Sequence, residues 1–310
     1  MTARIVAIST SSFAGESSAP LDLLRERGFE VRMNPHGRQL TPDESSGFLA
    51  DVVGLIAGTE KLSGDLLRAN PALKCISRVG VGMDNVDHAA ARELGIAVHN
   101  TPEAHVDAVA ELTLAGLLGA LRLVPDCHAG IRAGTWKKPM GRLLRGKTIG
   151  LVGFGRVGRA FARLLAPFEC PMVAVDPERD PRAAASTGAR YVEMGELLAV
   201  SDVVSLHLPY AASARHIIGA AELAAMRDDA VLVNTSRGGL VDEDALAAHL
   251  AAHPRALAYL DCFEQEPYKG PLRALPGCFM TAHIGSYARE ARERMELEAA
   301  TNLLRALGSA

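Results

Sequence analysis

At 310 residues the chain is long enough for two domains, because single hydrophobic cores usually stop growing near that size. A 48% hydrophobic, 22% charged composition is that of an ordinary globular protein, and a formal charge of −3 gives no general pull toward nucleic acid or an anionic membrane. The five cysteines are odd in number, widely spaced and lack a CxxC, which argues against a disulfide framework or a zinc site and for reduced thiols in a cytoplasmic protein.

The N-terminal apolar run, Ile5 to Ile8, is too short for a signal peptide core. It opens a series of predicted strands at Arg4–Thr10, Phe29–Asn34, Val52–Ala57, Leu73–Val79 and Ile96–His99. Helical patterns lie between them at Leu21–Arg27, Thr41–Leu49, Leu62–Ala69 and Asp87–Leu94. Thr41-Pro42-Asp43-Glu44 sets a cap, an N1 proline and first-turn acids in order. A long helix is expected from about Glu103 to Leu123. Its apolar stretch, Leu112 to Val124, is short for a membrane span and holds Arg122. A basic connector, Gly130 to Lys147, follows with the only tryptophan, Trp136. Strands resume at Thr148–Val152, Met172–Asp176, Val203–His207, Ala230–Asn234, Ala256–Leu260 and Phe279–Ala282, and Tyr287 to Leu307 reads as a final amphipathic helix. Alternation of this kind predicts parallel sheets covered by helices, in two α/β units that meet near residue 98.

The first strand of the second series runs into Gly153-Phe-Gly155-Arg156-Val157-Gly158. Strand, glycine turn, helix and second strand are the context a dinucleotide fingerprint requires. Gly153 allows the tight turn, Gly155 the approach of a pyrophosphate, and Gly158 close helix–strand packing. The helix N-terminus offers N–H groups and a positive dipole end to phosphates. Asp176, ending the next strand, can accept both adenosine ribose hydroxyls and repels a 2′-phosphate, favouring NAD. Arg179 and Arg182 nearby keep NADP open.

Three later segments place polar residues at predicted strand ends: Asn234 to Arg237, Asp261 to Glu266, and Thr281 to Gly285. Ligands bind at the carboxyl ends of strands in such sheets, so these residues are expected to converge. His283 can take the hydroxyl proton as hydride leaves carbon. Glu266 can orient its second ring nitrogen, and Arg237 offers a planar fork to a carboxylate. Singly, each is better read as a surface ion pair or a capped helix end; together they outweigh that reading.

The chain resembles the D-isomer-specific 2-hydroxyacid dehydrogenases, and within them the D-3-phosphoglycerate dehydrogenase-like branch. The likeness covers nearly the whole length and rests on Arg78 to Asp87, Asn100-Thr-Pro102, Val109-Ala-Glu111, the glycine turn, His207-Leu-Pro209, Arg237-Gly-Gly239, Asp261 with Glu266-Pro267, and His283-Ile-Gly285. It implies a catalytic set of Arg237, Glu266 and His283, and a substrate carboxylate held near Val81 and Gly82. It further implies Asp261 at the nicotinamide carboxamide, and Thr235, His207, Pro209 and Gly285 along the cofactor cleft. The expected fold is α/β with two doubly wound parallel-sheet domains. A flavodoxin-like substrate domain takes 1–98 plus 286–310, and a Rossmann NAD-binding domain takes 99–285, dimeric through the cofactor domains.

Departures bear on the substrate. The segment Leu55 to Lys61 has Gly58 and no arginine, and His105 stands where an asparagine is common. Arg78, Lys61, Ser11 and Ser12 could still form an anion pocket, with Lys137 and Lys138 added from a partner subunit; a solvated surface role for these groups is as good a reading. With no regulatory domain following, serine feedback has no obvious seat. The leading expectation is 3-phosphoglycerate oxidation, with phosphono- or sulfolactate, glyoxylate or hydroxypyruvate, and formate or phosphite as alternatives. A non-catalytic NAD-sensing corepressor is the reading from another class, and a methyltransferase is disfavoured by the later Arg, Glu and His segments.

Overall fold

Two parallel sheets organise the computed structural model, which describes residues 4–309. By contacts the chain divides into one unit of residues 1–105 plus 286–310 and a second of residues 106–285. The first crossing falls seven residues beyond the expected position at 98/99, because the last strand of the first sheet continues to His99 and Thr101 Oγ1 accepts the Gly80 N–H at 2.9 Å.

The first sheet is built from β1 (Arg4–Ile8), β2 (Phe29–Met33), β3 (Val52–Ala57), β4 (Cys75–Arg78) and β5 (Ala97–His99), in the order β2-β1-β3-β4-β5. Every pairing is parallel, and the order is that of a flavodoxin-like sheet. Intervening helices are α1 (Ala19–Glu26), α2 (Pro42–Phe48), α3 (Gly64–Arg68) and α4 (His88–Glu93). The Thr41 capping box forms: its hydroxyl takes the Glu44 N–H and the Glu44 carboxylate takes the Thr41 N–H. A final helix, α12 (Arg289–Ala306), completes the unit by laying Met295, Ala299, Ala300, Leu303 and Leu304 onto Val6, Ile8, Ile56 and Cys75. Gly54 on β3 permits this approach, since a Cβ there would lie 3.0 Å from Leu303.

The second sheet comprises β6 (Ile149–Val152), β7 (Met172–Val175), β8 (Ala189–Tyr191), β9 (Val203–Leu206), β10 (Val231–Asn234), β11 (Leu257–Leu260) and β12 (Cys278–Met280). Its order, β12-β11-β10-β9-β6-β7-β8, reverses direction at β6, with β7 on one side and β9 on the other. That reversal is the crevice where doubly wound sheets take ligands. The strands are three or four residues long, and the central β6, β9 and β10 are buried throughout and mostly apolar, as expected when helices cover both faces. The helices are α5 (Val106–Leu121), α6 (Val124–Arg132), α7 (Arg156–Leu164), α8 (Pro181–Thr187), α9 (Met194–Val200), α10 (Ala220–Ala225) and α11 (Glu243–Ala252). Along α5, Gly116 has no side chain because the Tyr259 ring occupies its place, 2.0 Å from where a Cβ would stand.

Three elements differ from the sequence expectation, the first being the unexpected edge strand β8. The long helix stops at Leu121, Leu123 adopts a left-handed conformation (φ 52°), and α6 departs at 67° from α5. Among the described residues no single helix is long and apolar enough to cross a membrane.

Candidate active site

Each strand of the second sheet ends in a turn whose chemistry follows from its residues. After β6, Gly153 has φ +93° and a Cβ there would stand 2.6 Å from the His207 carbonyl oxygen, so neither the conformation nor the space admits a side chain. Gly158, inside α7, would place a Cβ 2.5 Å from the Gly153 carbonyl. Gly155 meets nothing within 4 Å and leaves an open face above the first N–H groups of α7, with Arg156 exposed and Val157 half-buried beside it. This opening fits the pyrophosphate of NAD, which needs close backbone approach and a helix N-terminus rather than a cationic side chain.

Asp176, directly after β7, accepts the Phe154 N–H at 2.6 Å through Oδ2 and the Glu178 N–H at 2.8 Å through Oδ1. The carboxylate therefore fastens the glycine turn while each oxygen keeps a lone pair for a ribose hydroxyl. Arg179 is paired with Glu193 and lies over the Tyr191 ring; Arg159 is paired with Asp180. His207, after β9, is buried against Phe161 with Nε2 2.9 Å from the Ser205 hydroxyl. Burial holds its imidazole down to about 3, so it is neutral, and its buried Nδ1 has no protein partner among the described residues. Pro209 is exposed beyond it, and Thr235 is buried with its hydroxyl 2.8 Å from that of Thr113.

Adjacent strands β10, β11 and β12 deliver the expected catalytic set. The turn after β10 is shaped by Asn234, which donates from Nδ2 to the Arg237 carbonyl at 2.7 Å and accepts the Ser236 N–H through Oδ1 at 3.0 Å. Gly238 then lies so close to Phe263 and Glu264 that a Cβ would fall 1.8 Å from the Phe263 carbonyl carbon. This contact brings the half-buried Arg237 into the field of Glu266, whose Oε1 accepts the Phe263 N–H at 3.0 Å.

Glu266 and His283 meet: the imidazole Nδ1 is 2.9 Å from both carboxylate oxygens. Burial pushes the Glu266 carboxyl up, but the hydrogen bond and charge of His283, the Phe263 N–H and the Arg237 charge outweigh it, and the group sits below the ordinary carboxylate range. An ionised carboxylate only accepts, so Nδ1 carries a hydrogen and Nε2 is the nitrogen left for proton exchange. His283 has φ +53°, a conformation that costs a non-glycine residue roughly 1–2 kcal/mol. The next two N–H groups are held. Asp261, expected at the carboxamide, is buried and accepts from Ile284 at 2.9 Å, Gly285 at 2.8 Å and the Thr281 hydroxyl at 2.5 Å. Thr281 was not singled out by sequence reasoning.

The first unit carries the other expected residues at the carboxyl ends of its own strands. Val81 is exposed after β4, and the N–H groups of Val81 and Gly82 donate to no protein acceptor among the described residues. Arg78 is buried, donating from Nε to Asn85 Oδ1 at 3.0 Å, while Asn85 Nδ2 donates to the Glu60 carbonyl at 2.7 Å. Glu60 is 3% exposed, and its carboxylate accepts the Ser9 hydroxyl and the Gly58 N–H. Ser12 accepts from Arg292 at 3.2 Å. Lys61 lines a cavity of about 620 Å³ with Arg68, Asp65, Asp84 and Asp87. Of the four residues expected to form an anion pocket, Arg78 and Ser12 thus make separate hydrogen bonds and Lys61 lines a cavity.

A family model described as the NAD binding domain of the D-isomer specific 2-hydroxyacid dehydrogenases matches residues 114–285. The chain is 41% identical to the glyoxylate reductase of Thermococcus litoralis over 256 residues, 79% of this chain and 77% of that protein. To the hydroxypyruvate reductase of Thermotoga maritima it is 34% identical over 299 residues, 93% and 97% of the two chains. It is 39% identical over 248 residues to the D-3-phosphoglycerate dehydrogenase of Methanocaldococcus jannaschii, covering 79% of this chain but 47% of that protein. A solved structure from Thermus thermophilus superposes with a TM-score of 0.87 at 37% identity, covering 98% of this chain and 97% of that one.

Proposed function

The chain belongs to the D-isomer specific 2-hydroxyacid dehydrogenase family, and from that premise we propose that it interconverts a short 2-oxo monocarboxylate, of the glyoxylate or hydroxypyruvate kind, with its 2-hydroxy acid. The observation that carries the reading is the His283–Glu266 pair, with Nδ1 held at 2.9 Å and Nε2 left free to exchange a proton. In the reductive direction His283 donates from Nε2 to the carbonyl oxygen as the carbon is reduced, and Glu266 stabilises the imidazolium beforehand. In the oxidative direction the same nitrogen takes the hydroxyl proton. Bound NADH supplies the hydride. Arg237 orients the carboxylate and polarises the reacting oxygen. Gly153, Gly155, Gly158 and Asp176 hold the adenosine diphosphate moiety. Asp176, with Arg179 engaged by Glu193, supports NAD over NADP.

The two reductases are matched over 77% and 97% of their own lengths and the phosphoglycerate dehydrogenase over 47%, which supports the singly charged class over the doubly charged substrate expected from the sequence. In the first unit Glu60 is buried after β3, and Arg78 donates from Nε to Asn85 Oδ1. A second reading concerns assembly. α6 buries none of its residues, and Val124, Ile131, Trp136, Met140 and Leu143 are all exposed, which supports the expected second copy against this face.

The test is NADH consumption with glyoxylate, hydroxypyruvate and phosphohydroxypyruvate. One of the first two should exceed phosphohydroxypyruvate by about 10-fold in kcat/KM, the equivalent of about 1.4 kcal/mol. A preference for the phosphorylated acid would overturn the substrate class; no turnover of any 2-oxo acid would overturn the reaction.

A further inference from the structure

The turn that carries His283 is fastened by a buried chain of hydrogen bonds that the proton-transfer chemistry itself does not use. It starts at Tyr259 on β11, a fully buried side chain whose ring fills the space left by Gly116. Burial pushes the Tyr259 phenol up, so it keeps its proton; its hydroxyl lies 3.0 Å from Thr281 Oγ1. Thr281 in turn donates to Asp261 Oδ1 at 2.5 Å. Asp261 then accepts the N–H groups of Ile284 and Gly285, one on each oxygen, at 2.9 and 2.8 Å. Gly285 has no side chain where a Cβ would stand 3.1 Å from Asp261 Oδ2.

We propose that Asp261 and Thr281 are positioning residues for His283: they lock the left-handed turn that sets the imidazole against Glu266 and aims Nε2. The inference rests on the assignment of His283 as the acid–base group. The direction of each bond follows from chemistry, since a buried phenol donates, a hydroxyl relays and a carboxylate only accepts. Two donors on adjacent N–H groups fix the peptide planes after His283, where its backbone departs from ordinary residues. The imidazole reaches Glu266 across from another strand, so a turn that loosens shifts Nδ1 and Nε2 together. A displacement near 1 Å lowers turnover by about 100-fold.

The variants are Thr281→Val, which keeps shape and loses the donor, and Thr281→Ser, which keeps the donor, each assayed with NADH saturating. Losing a hydrogen bond to a charged group predicts a kcat lower by ~10-fold or more in Thr281→Val, with KM and NADH affinity within about twofold. Amide hydrogen exchange at Ile284 and Gly285 should quicken by about the same factor. Thr281→Ser should restore both. Wild-type kcat and wild-type amide exchange in Thr281→Val would overturn the proposal. So would a loss of NADH affinity with unchanged exchange, which would place the network's effect on the cofactor. Should Thr281→Val fail to fold, Tyr259→Phe removes the outer link, and unchanged exchange at the two amides would sink the idea. If the wild-type protein reduces no 2-oxo acid, the acid–base reading falls, while the exchange measurements still decide whether this chain of bonds holds the turn.

Discussion

Replacing Glu266 with Gln probes the proposed chemistry where its geometry is tightest. Gln keeps an oxygen that accepts from His283 Nδ1, so the substitution removes charge and little else. A hydrogen bond to a charged group contributes about 1.5–3 kcal/mol, and this pair, with both side chains more than a third exposed, belongs at the lower end. At 1.36 kcal/mol per decade, ~1.5–2 kcal/mol lowers kcat by about 10- to 30-fold in the reductive direction, where the imidazolium must form. KM should hardly change, because the carboxylate acts through the imidazole and not on the substrate. The pH dependence has a definite sign. The Glu266 carboxyl in the folded protein titrates below its ordinary value of 4.5, so the pair is intact above that value and lost as pH falls through the lower, folded one. The wild-type protein therefore has an acid-side slope in stability below about pH 4.5 that the Gln variant lacks. The assay is single-turnover NADH oxidation followed by absorbance, with deuterated NADH to show that hydride transfer is being timed. A Glu266→Gln rate within twofold of wild type across pH 5 to 9 would refute the reasoning, because the imidazole would then need no counter-charge.

Asp176→Ala should weaken NADH by about 10-fold and shift the NADH/NADPH affinity ratio toward NADPH; fluorescence titration of both cofactors measures this. Because Asp176 also fastens Phe154, a loss of affinity with an unchanged ratio would show that only the glycine turn had been disturbed. The assembly reading predicts that Ile131→Asp with Met140→Asp halves the mass seen by sedimentation velocity. A wild-type chain that already sediments as a monomer would contradict it.

Strand positions were legible in the sequence because each is a short apolar run between turn residues, and β3 falls on the residues expected of it. β8 was not, since Ala189-Arg-Tyr is a three-residue edge strand with no alternation to read. α6 escaped for a related reason: with no buried face it leaves no periodic apolar stripe, and the break before it at Leu123 is marked only by Pro125 two residues on. Within the site, the residue types at the strand ends announced themselves, because glycines, Arg237, Glu266 and His283 have few competing explanations in that order. The bonds around Asp261 did not, because they join a side chain to backbone groups 23 and 24 positions away. Glu60 was hidden too: in sequence it is one acid in a loop, and only the fold shows it buried against Ser9.

The route of the chain through its two units has a consequence for biosynthesis. The unit of residues 106–285 is continuous and can complete its core as soon as β12 has left the ribosome. The unit that begins the chain cannot, because α12 supplies five of the buried side chains packed against β1, β3 and β4. The earliest strands to be made thus wait for the latest helix, with Val6, Ile8 and Ile56 lacking their cover in the interval. A nascent chain at this stage is a finished cofactor-binding unit carrying an unfinished neighbour, and that apolar sheet face is where a chaperone would find its grip.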